Sequence, residues 1–356
     1  MKINLTAPIN NLGYGIAAYN ILCELCKGGH EIALWPIGQP EEMPRIDVLQ
    51  AVIQNSRQMP PSSDIPSVKI WHQHEMQQHI GKGLHVGFPI FELNTFTDIE
   101  KNSLQYCDAL FVCSNWAKEI VAQNGLEIPT YVVPLGVDTD IFQPSQISRE
   151  NTIFFNCGKW EKRKGHDVIL ECFNKAFSPN DNVELWMMCD NPFPQGKGEE
   201  WEKRYKTSRL ADKLTLISRQ KEQKNVYNIM RQTDCGIFPS RAEGWNLELL
   251  EMMACGKHVI ATNYSGHTEF CNDQNSYLVD IKNLETAYDG AWFFGQGLWA
   301  EVSDPQKDQI IDYMQRIHNK KQSGSLKQNL AGMDTAAQFS WTNSAKALLK
   351  GLSLCK

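Results

Sequence analysis

At 356 residues the chain is longer than the roughly 250–300 residues over which one hydrophobic core keeps growing, so two domains are expected. A hydrophobic content of 42% with 21% charged residues excludes a disordered chain, and a net charge of −6 argues against nucleic acid as the main partner. The charge is uneven: residues 1–145 carry 8 Lys/Arg against 15 Asp/Glu, while residues 146–356 carry 27 against 26, so the basic groups available to an anion lie in the second part.

The chain opens on Met1-Lys2-Ile3-Asn4-Leu5-Thr6 before Pro8, which reads as a short strand and not as the apolar segment of a signal peptide. No stretch approaches the roughly 18 apolar residues of a membrane span. Eleven scattered cysteines point to free thiols in a reducing cytosol, so a cytoplasmic protein is expected. Cys23 and Cys26 form a C-x-x-C inside a helical pattern without a second pair, and are read as structural thiols on one helix.

Strand-like runs fall at residues 3–7, 68–72, 109–113, 131–133, 152–157, 183–189, 214–216, 235–238 and 258–262, with helical periodicity at 17–27, 166–177, 223–231 and 247–254. The alternation implies βαβ units around parallel sheets, once before about residue 140 and again after about 150. Pro134, Gly136 and Pro144 punctuate the join. Residues 39–66, rich in Pro, Ser and charge, read as a loop-rich insertion. Two doubly wound domains place a ligand at the carboxyl ends of their strands.

Three segments carry chemistry. In Phe238-Pro239-Ser240-Arg241-Ala242-Glu243-Gly244-Trp245-Asn246-Leu247-Glu248-Leu249-Leu250-Glu251 a strand ends, a turn follows and a helix starts near Asn246, with Glu243 at its entrance and Glu251 inside it. The backbone N–H groups of Gly244, Trp245, Asn246 and Leu247 are then available to hydroxyls or phosphate. Both glutamates can also be read as solvated helix-end charges, but the strand–Pro-Ser–Glu-Gly–helix–Gly–strand frame disfavours that. In Gly158-Lys159-Trp160-Glu161-Lys162-Arg163-Lys164-Gly165 a glycine-flanked loop with four cations follows a strand and precedes a helix, the setting of a diphosphate site. Asn11-Leu12-Gly13-Tyr14-Gly15-Ile16 is a weaker glycine turn after the first strand.

The first segment resembles the E-x7-E donor-site signature of glycosyltransferase family 4, a family of retaining enzymes of the two-domain GT-B type. The resemblance implies that Glu243 and the amides after it contact the donor sugar and that Glu251 binds the ribose. The basic run resembles the family's G-R-x-x-x-x-K-G loop, whose Arg and Lys clamp the leaving diphosphate; the resemblance implies that role for Lys164, which matches the Lys, and for Lys159, which stands in place of the usual Arg and keeps its charge. Gly13 and Gly15 match a glycine loop near the phosphates, and His74 matches a His facing the donor sugar. Pro134–Phe142 and Ser265-Gly266-His267-Thr268-Glu269 match further family segments, and Phe339-Ser340-Trp341 starts a last helix that in this fold returns to the first domain.

The resulting expectation is an α/β chain of GT-B type, two Rossmann-like doubly wound parallel-sheet domains facing a cleft. Residues 1–145, with the terminal helix 341–356, form the acceptor-side domain, and 146–338 the nucleotide-sugar domain. The implied reaction is metal-independent, retaining transfer of a hexose from a nucleotide diphosphate sugar to a hydroxyl of a glycan or glycolipid, in surface polysaccharide biosynthesis. No cofactor and no metal are expected, with membrane contact only through the acceptor. Asp138-x-Asp140 is read as capping and turn chemistry and not as a manganese site. His72 and His74 lack an evident third ligand, and Glu92 is read as a loop charge or an acceptor-side carboxylate. The alternatives are a GT-B-like nucleotide-sugar epimerase and a catalytically inactive nucleotide-sugar-binding module.

Overall fold

A computed structural model describes residues 1–58, 64–147 and 149–355. The chain divides into two compact units, Met1–Gly136 with Phe339–Lys356, and Val137–Gln338. Residues 137–145, assigned above to the first domain, group with the second unit.

The first unit runs β1 (Lys2–Ala7), α1 (Gly13–Lys27), β2 (Glu31–Pro36), α2 (Ile46–Gln58), β3 (Ser67–Trp71), β4 (His85–Pro89), α3 (Asp98–Leu104), β5 (Ala109–Val112), α4 (Asn115–Gln123) and β6 (Thr130–Val132). Its six strands pair in parallel in the order β2-β1-β3-β4-β5-β6. Local chemistry fixes the helix starts: Thr97 and Glu100 close a capping box on α3, and Ser114 caps α4 through the Ala117 N–H. Residues 39–66 are not simply a loop-rich insertion, because α2 lies there with Leu49, Val52 and Ser56 turned inward. That stripe is one residue wide, so the surrounding polar positions hid the helical period. Residues 59–63 lie outside the described residues.

The second unit runs β7 (Thr152–Lys159), α5 (His166–Ala176), β8 (Val183–Asp190), α6 (Gly198–Lys206), β9 (Leu214–Leu216), α7 (Gln223–Met230), β10 (Cys235–Phe238), α8 (Leu247–Ala254), β11 (His258–Thr262), β12 (Tyr277–Val279), the hairpin β13 (Leu284–Tyr288) and β14 (Phe294–Ala300), α9 (Asp304–Gln322) and α10 (Leu330–Gln338). Its parallel sheet has the order β12-β11-β10-β7-β8-β9. β7 and β10 are central and buried on both faces, as continuous apolar runs in a parallel sheet should be. Phe154, Phe173, Leu185, Ile237 and Ile260 join the core beneath that sheet.

The last helix, α11 (Trp341–Leu354), belongs to the first unit. It buries Trp341, Ala345, Leu348 and Leu352, and Thr342 donates a 2.6 Å hydrogen bond to Glu24 on α1. A Cβ at Gly351 would lie 2.6 Å from the Phe111 ring, so only glycine lets α11 settle at that depth.

Candidate functional site

In the second unit the strand order reverses between β7 and β10, so the segments leaving their carboxyl ends meet at a topological switch point. Arg241 N–H donates to the Arg163 carbonyl at 2.6 Å, and the Arg163 guanidinium donates to the Ala242 carbonyl at 2.7 Å. Gly165, at φ 75°, lies so close to Pro239 that a Cβ would fall 2.3 Å from its carbonyl oxygen. That close approach explains the glycine before α5 and brings the basic loop against the Glu243 turn.

The contact holds a chain of buried charges. Glu161 takes Lys159 at 2.8 Å on one oxygen and Arg163 at 2.9 Å on the other. Arg163 continues to Glu243 Oε2 at 2.8 Å, while Glu243 Oε1 accepts from Lys164 at 3.1 Å and from Ser240 Oγ at 2.8 Å. Lys164 also lies 3.7 Å from Glu248. Burial alone would raise the pKa of Glu243, but the charges of Arg163 and Lys164 and the hydrogen bonds to it hold the carboxyl well below the usual range. Burial likewise opposes the Lys164 charge, and Glu243 and Glu248 outweigh it, so Lys164 stays a cation.

Further contacts fix the loop from behind. The Glu161 N–H donates to His166 Nδ1 at 3.0 Å, with His166 Nε2 3.1 Å from Asn156 Oδ1. Burial and the nearby Lys164 push His166 down to about 3, so it is a neutral strut and not a proton carrier. Arg241 makes a bidentate pair with Asp167, both bonds 2.9 Å, and reaches Glu285 on the hairpin at 3.2 Å.

The entrance to α8 completes the site. Asn246 caps the helix at φ 84°, its Oδ1 accepting from Leu249 N–H, and its Nδ2 is buried without a hydrogen-bond partner among the described residues. Ser265 is also left-handed, at φ 67°, and its Oγ accepts from the Glu243 N–H at 2.8 Å. Two such non-glycine residues store roughly 1–3 kcal/mol each, a strain typical of functional turns. Among the described residues the N–H groups of Gly244, Asn246 and Leu247 donate to no backbone acceptor outside the helix, as expected at a helix start. Trp245 is buried against Phe270, so its side chain serves packing. Glu251, in the body of α8, is buried, and burial followed by the charge of Glu248 raises its carboxyl well above the ordinary range.

The structure thus brings together Lys164, Glu243, Gly244, Trp245, Asn246, Leu247 and, one to two turns along α8, Glu251. Lys159 is set apart: its side chain is 36% exposed, paired to Glu161, with its Nζ 5.7 Å from the Phe193 and Trp292 rings. Gly13, Gly15 and His74 belong to the other unit, where β1 and β3 make the reversal. Gly13 and Gly15 form the first turn of α1, and a Cβ at Gly15 would fall 2.3 Å from the Asn10 carbonyl oxygen. His74 is not on a strand face: β3 ends at Trp71, and His74 sits exposed in a short 3-10 turn, stacked on His72 at 5.5 Å. Asp138 accepts from the Asp140 and Ile141 N–H groups, which is turn chemistry. Among the described residues no cluster of three His, Cys, Asp or Glu could hold a metal ion. Arg163, Glu161 and Ser240 were not singled out by the sequence; the only signal was an acid set within a run of cations.

Residues 137–290 match the family model for Glycosyl transferases group 1, so the second unit carries a domain of that kind. The "Probable sucrose-phosphate synthase" of Thermosipho melanesiensis is 26% identical over 51% of this chain and 45% of its own length. The lipopolysaccharide 1,2-N-acetylglucosaminetransferase of Salmonella typhimurium is 25% identical over 43% of this chain and 40% of its own. The chain therefore spans less than half the length of these two relatives. Among solved structures, HepE of Anabaena in complex with UDP-glucose superimposes with a TM-score of 0.70 at 14% identity, covering 99% of this chain and 100% of that one. The fold is GT-B. Among the described residues no helix is long and apolar enough to cross a membrane.

Proposed function

We propose that this chain is a retaining, metal-independent glycosyltransferase of family 4 type, moving a hexose from a nucleotide diphosphate sugar to a hydroxyl of a glycan or glycolipid. The observation that carries the reading is Lys164, held 3.1 Å from Glu243 and 3.7 Å from Glu248 at the amino end of α8. A buried cation beside a helix start is a site for the diphosphate of a departing nucleotide.

In this reading the α8 amides and Lys164 hold the diphosphate, and Glu251 accepts from the ribose hydroxyls. Lys164 leaves Glu243 for phosphate when donor binds. Glu243 keeps its Arg163 and Ser240 bonds and turns the freed acceptor capacity of Oε1 toward a sugar hydroxyl. The C1–O bond to phosphate breaks, its electron pair leaving with the nucleoside diphosphate. The acceptor oxygen bonds C1 from the same face, and its proton passes to the departing phosphate oxygen. Lys164 balances the charge that grows there. HepE binds UDP-glucose, which makes UDP-glucose the first donor to try. The relative acting in lipopolysaccharide synthesis supports a surface polysaccharide or lipid-linked acceptor, whose recognition we assign to the first unit. Eleven free thiols suit the cytoplasm, where nucleotide sugars are made.

The test is a thermal-shift screen with UDP, GDP, ADP and their sugars, without and with EDTA. A ligand at 100 times its dissociation constant stabilises the fold by about 2.7 kcal/mol. A shift with one nucleotide, followed by donor hydrolysis or transfer, supports the reading. No shift with any nucleotide would refute it, and a shift without turnover of any donor would favour the inactive binding module.

A further inference from the structure

Beside the basic loop the second unit has a pocket of about 430 Å³, within the range of small-ligand sites. Its lining includes Trp160 and Glu161 from the segment after β7, Gln195 from that after β8, Trp201 on α6, and Trp292 in the β13–β14 turn. Lys164, Glu243 and Glu251 are not among the lining residues.

Trp201 and Trp292 offer indole surface to the pocket, with Trp160 buried against Trp201. The rings of Trp160 and Trp201 are 6.2 Å apart and nearly parallel, at 6°. Trp292 is 37% exposed and meets Phe193 edge to face at 5.5 Å, with the Lys159 ammonium 5.7 Å from both rings. The Trp160 indole N–H is buried without a hydrogen-bond partner among the described residues, although Trp160 is only 1% exposed. A buried donor of that kind is costly unless something accepts from it.

Four carboxylates line the pocket with Lys162, Lys197 and Arg204; Glu200 lies 3.8 Å from Lys197, and the other three are neutralised or capped. Glu161 is paired with Lys159 and Arg163, and Asp167 with Arg241. Asp289 accepts the Ala291, Trp292 and Phe293 N–H groups. Their remaining lone pairs can accept hydroxyl protons without presenting a bare charge. Lys162, Lys197 and Arg204 offset the four acids of the lining, so it presents no strong net charge for an ion to seek. A ligand with apolar C–H faces, a rim of hydroxyls and no charge satisfies both the indoles and the acids, and that is a sugar ring.

We infer that this pocket is a saccharide-binding site separate from the donor cluster, holding a neutral segment of a glycan. The choice of a glycan rests in part on the transferase reading, whereas binding at the pocket requires no turnover.

The probes are maltohexaose, cellohexaose and mannohexaose, titrated by tryptophan fluorescence and saturation-transfer NMR with and without saturating UDP. At least one should bind with a dissociation constant on the order of millimolar and keep that affinity when UDP is present. Trp292→Ala, at a partly exposed turn, should weaken the sugar about tenfold and leave the UDP thermal shift unchanged. Trp201→Phe, which keeps an aromatic packed on the core, should weaken it less. The inference is overturned if no oligosaccharide perturbs the wild-type indoles, if UDP displaces the sugar, or if Trp292→Ala leaves its affinity intact. It is also overturned if Trp292→Ala abolishes the nucleotide shift, which would make the pocket a nucleobase site. Failure of UDP, GDP and ADP alike to bind would sink the transferase reading and leave the sugar titration to be judged by itself.

Discussion

Arg163→Met tests whether the buried charge chain is what holds the site. Arg163 is 4% exposed and bridges two carboxylates that are themselves buried, Glu161 and Glu243. Removing one partner of a buried pair costs about 3–5 kcal/mol, because the remaining charge is left without compensation. Here Lys159 still pairs with Glu161 at 2.8 Å and Lys164 with Glu243 at 3.1 Å, so the low end, about 3 kcal/mol, is expected. For a unit of about 200 residues that is a fall of roughly 6–12 °C in its calorimetric transition. The pH dependence is the sharper readout. In both carboxyls burial works against the charge, yet their cations hold the folded pKa below the ordinary 4.5. Their contribution is therefore present above pH 4.5 and is lost as pH falls below it. Removing Arg163 takes away part of that contribution, so the deficit should be greatest at neutral pH and shrink below about 4.5. Arg163→Lys keeps the charge without the fork that reaches two acids and should lie between. A deficit under about 1 kcal/mol, or one that does not change with pH, would refute the reasoning.

Lys164→Ala should lower turnover roughly 10²–10³-fold and donor affinity far less, whereas Lys159→Arg, at a half-exposed position, should be tolerated; steady-state kinetics in which Lys164→Ala moves only the Michaelis constant would reduce the loop to a docking surface. Glu251 has a folded pKa raised by burial, so ionising it costs stability increasingly as pH climbs above about 4.5. Glu251→Gln should then melt higher than wild type at neutral pH and equally in acid, while nucleoside diphosphate binding weakens by about 1.5–3 kcal/mol in calorimetry; unchanged affinity would remove the ribose assignment. Transfer activity should survive EDTA, and a loss restored by manganese would reopen Asp138, Asp140, His72 and His74 as ligands.

What could be read from the sequence follows from where each signal lies. β7 and β10 are buried on both faces, so they appear as unbroken apolar runs, and the segments after them carry glycines and charges that no core strand would hold. The positions of Glu243 at the entrance to α8 and of Glu251 inside it are legible from the strand, turn and helix around them, and not from the spacing by itself. β2 and β4 were missed because β2 runs into Pro36 and β4 starts at a buried His85 and contains Gly87, each a break in a short apolar run. The hairpin was missed because Leu284, Tyr288, Phe294 and Leu298 face outward while Glu285 lies on the inward side with Ala287 and Trp299. Its pattern inverts the usual alternation. Arg163 was illegible for a different reason. Among Lys159, Lys162, Arg163 and Lys164 nothing in the chain says that Arg163 turns inward beside Lys164. That is decided by the left-handed Gly165 and its contact with Pro239, a tertiary event.

The two cations on Glu243 are not equivalent, and the difference explains how one carboxylate can serve both the empty and the loaded site in the proposed reaction. Arg163 binds Oε2 and is also tied to Glu161 and the Ala242 carbonyl, so it is anchored at three points and cannot follow a ligand. Lys164 binds Oε1 through one flexible stem, with Glu248 as its other acid at 3.7 Å. A diphosphate therefore competes for Lys164 and not for Arg163. When Lys164 moves, Glu243 retains the Arg163 charge and the Ser240 hydroxyl, so the buried carboxylate is never left bare. Without Arg163, Glu243 would depend on Lys164 alone, and drawing that lysine to phosphate would strand a buried charge. On this account the fixed arginine keeps the mobile lysine available, which is why a run of four cations needs one that never meets the substrate.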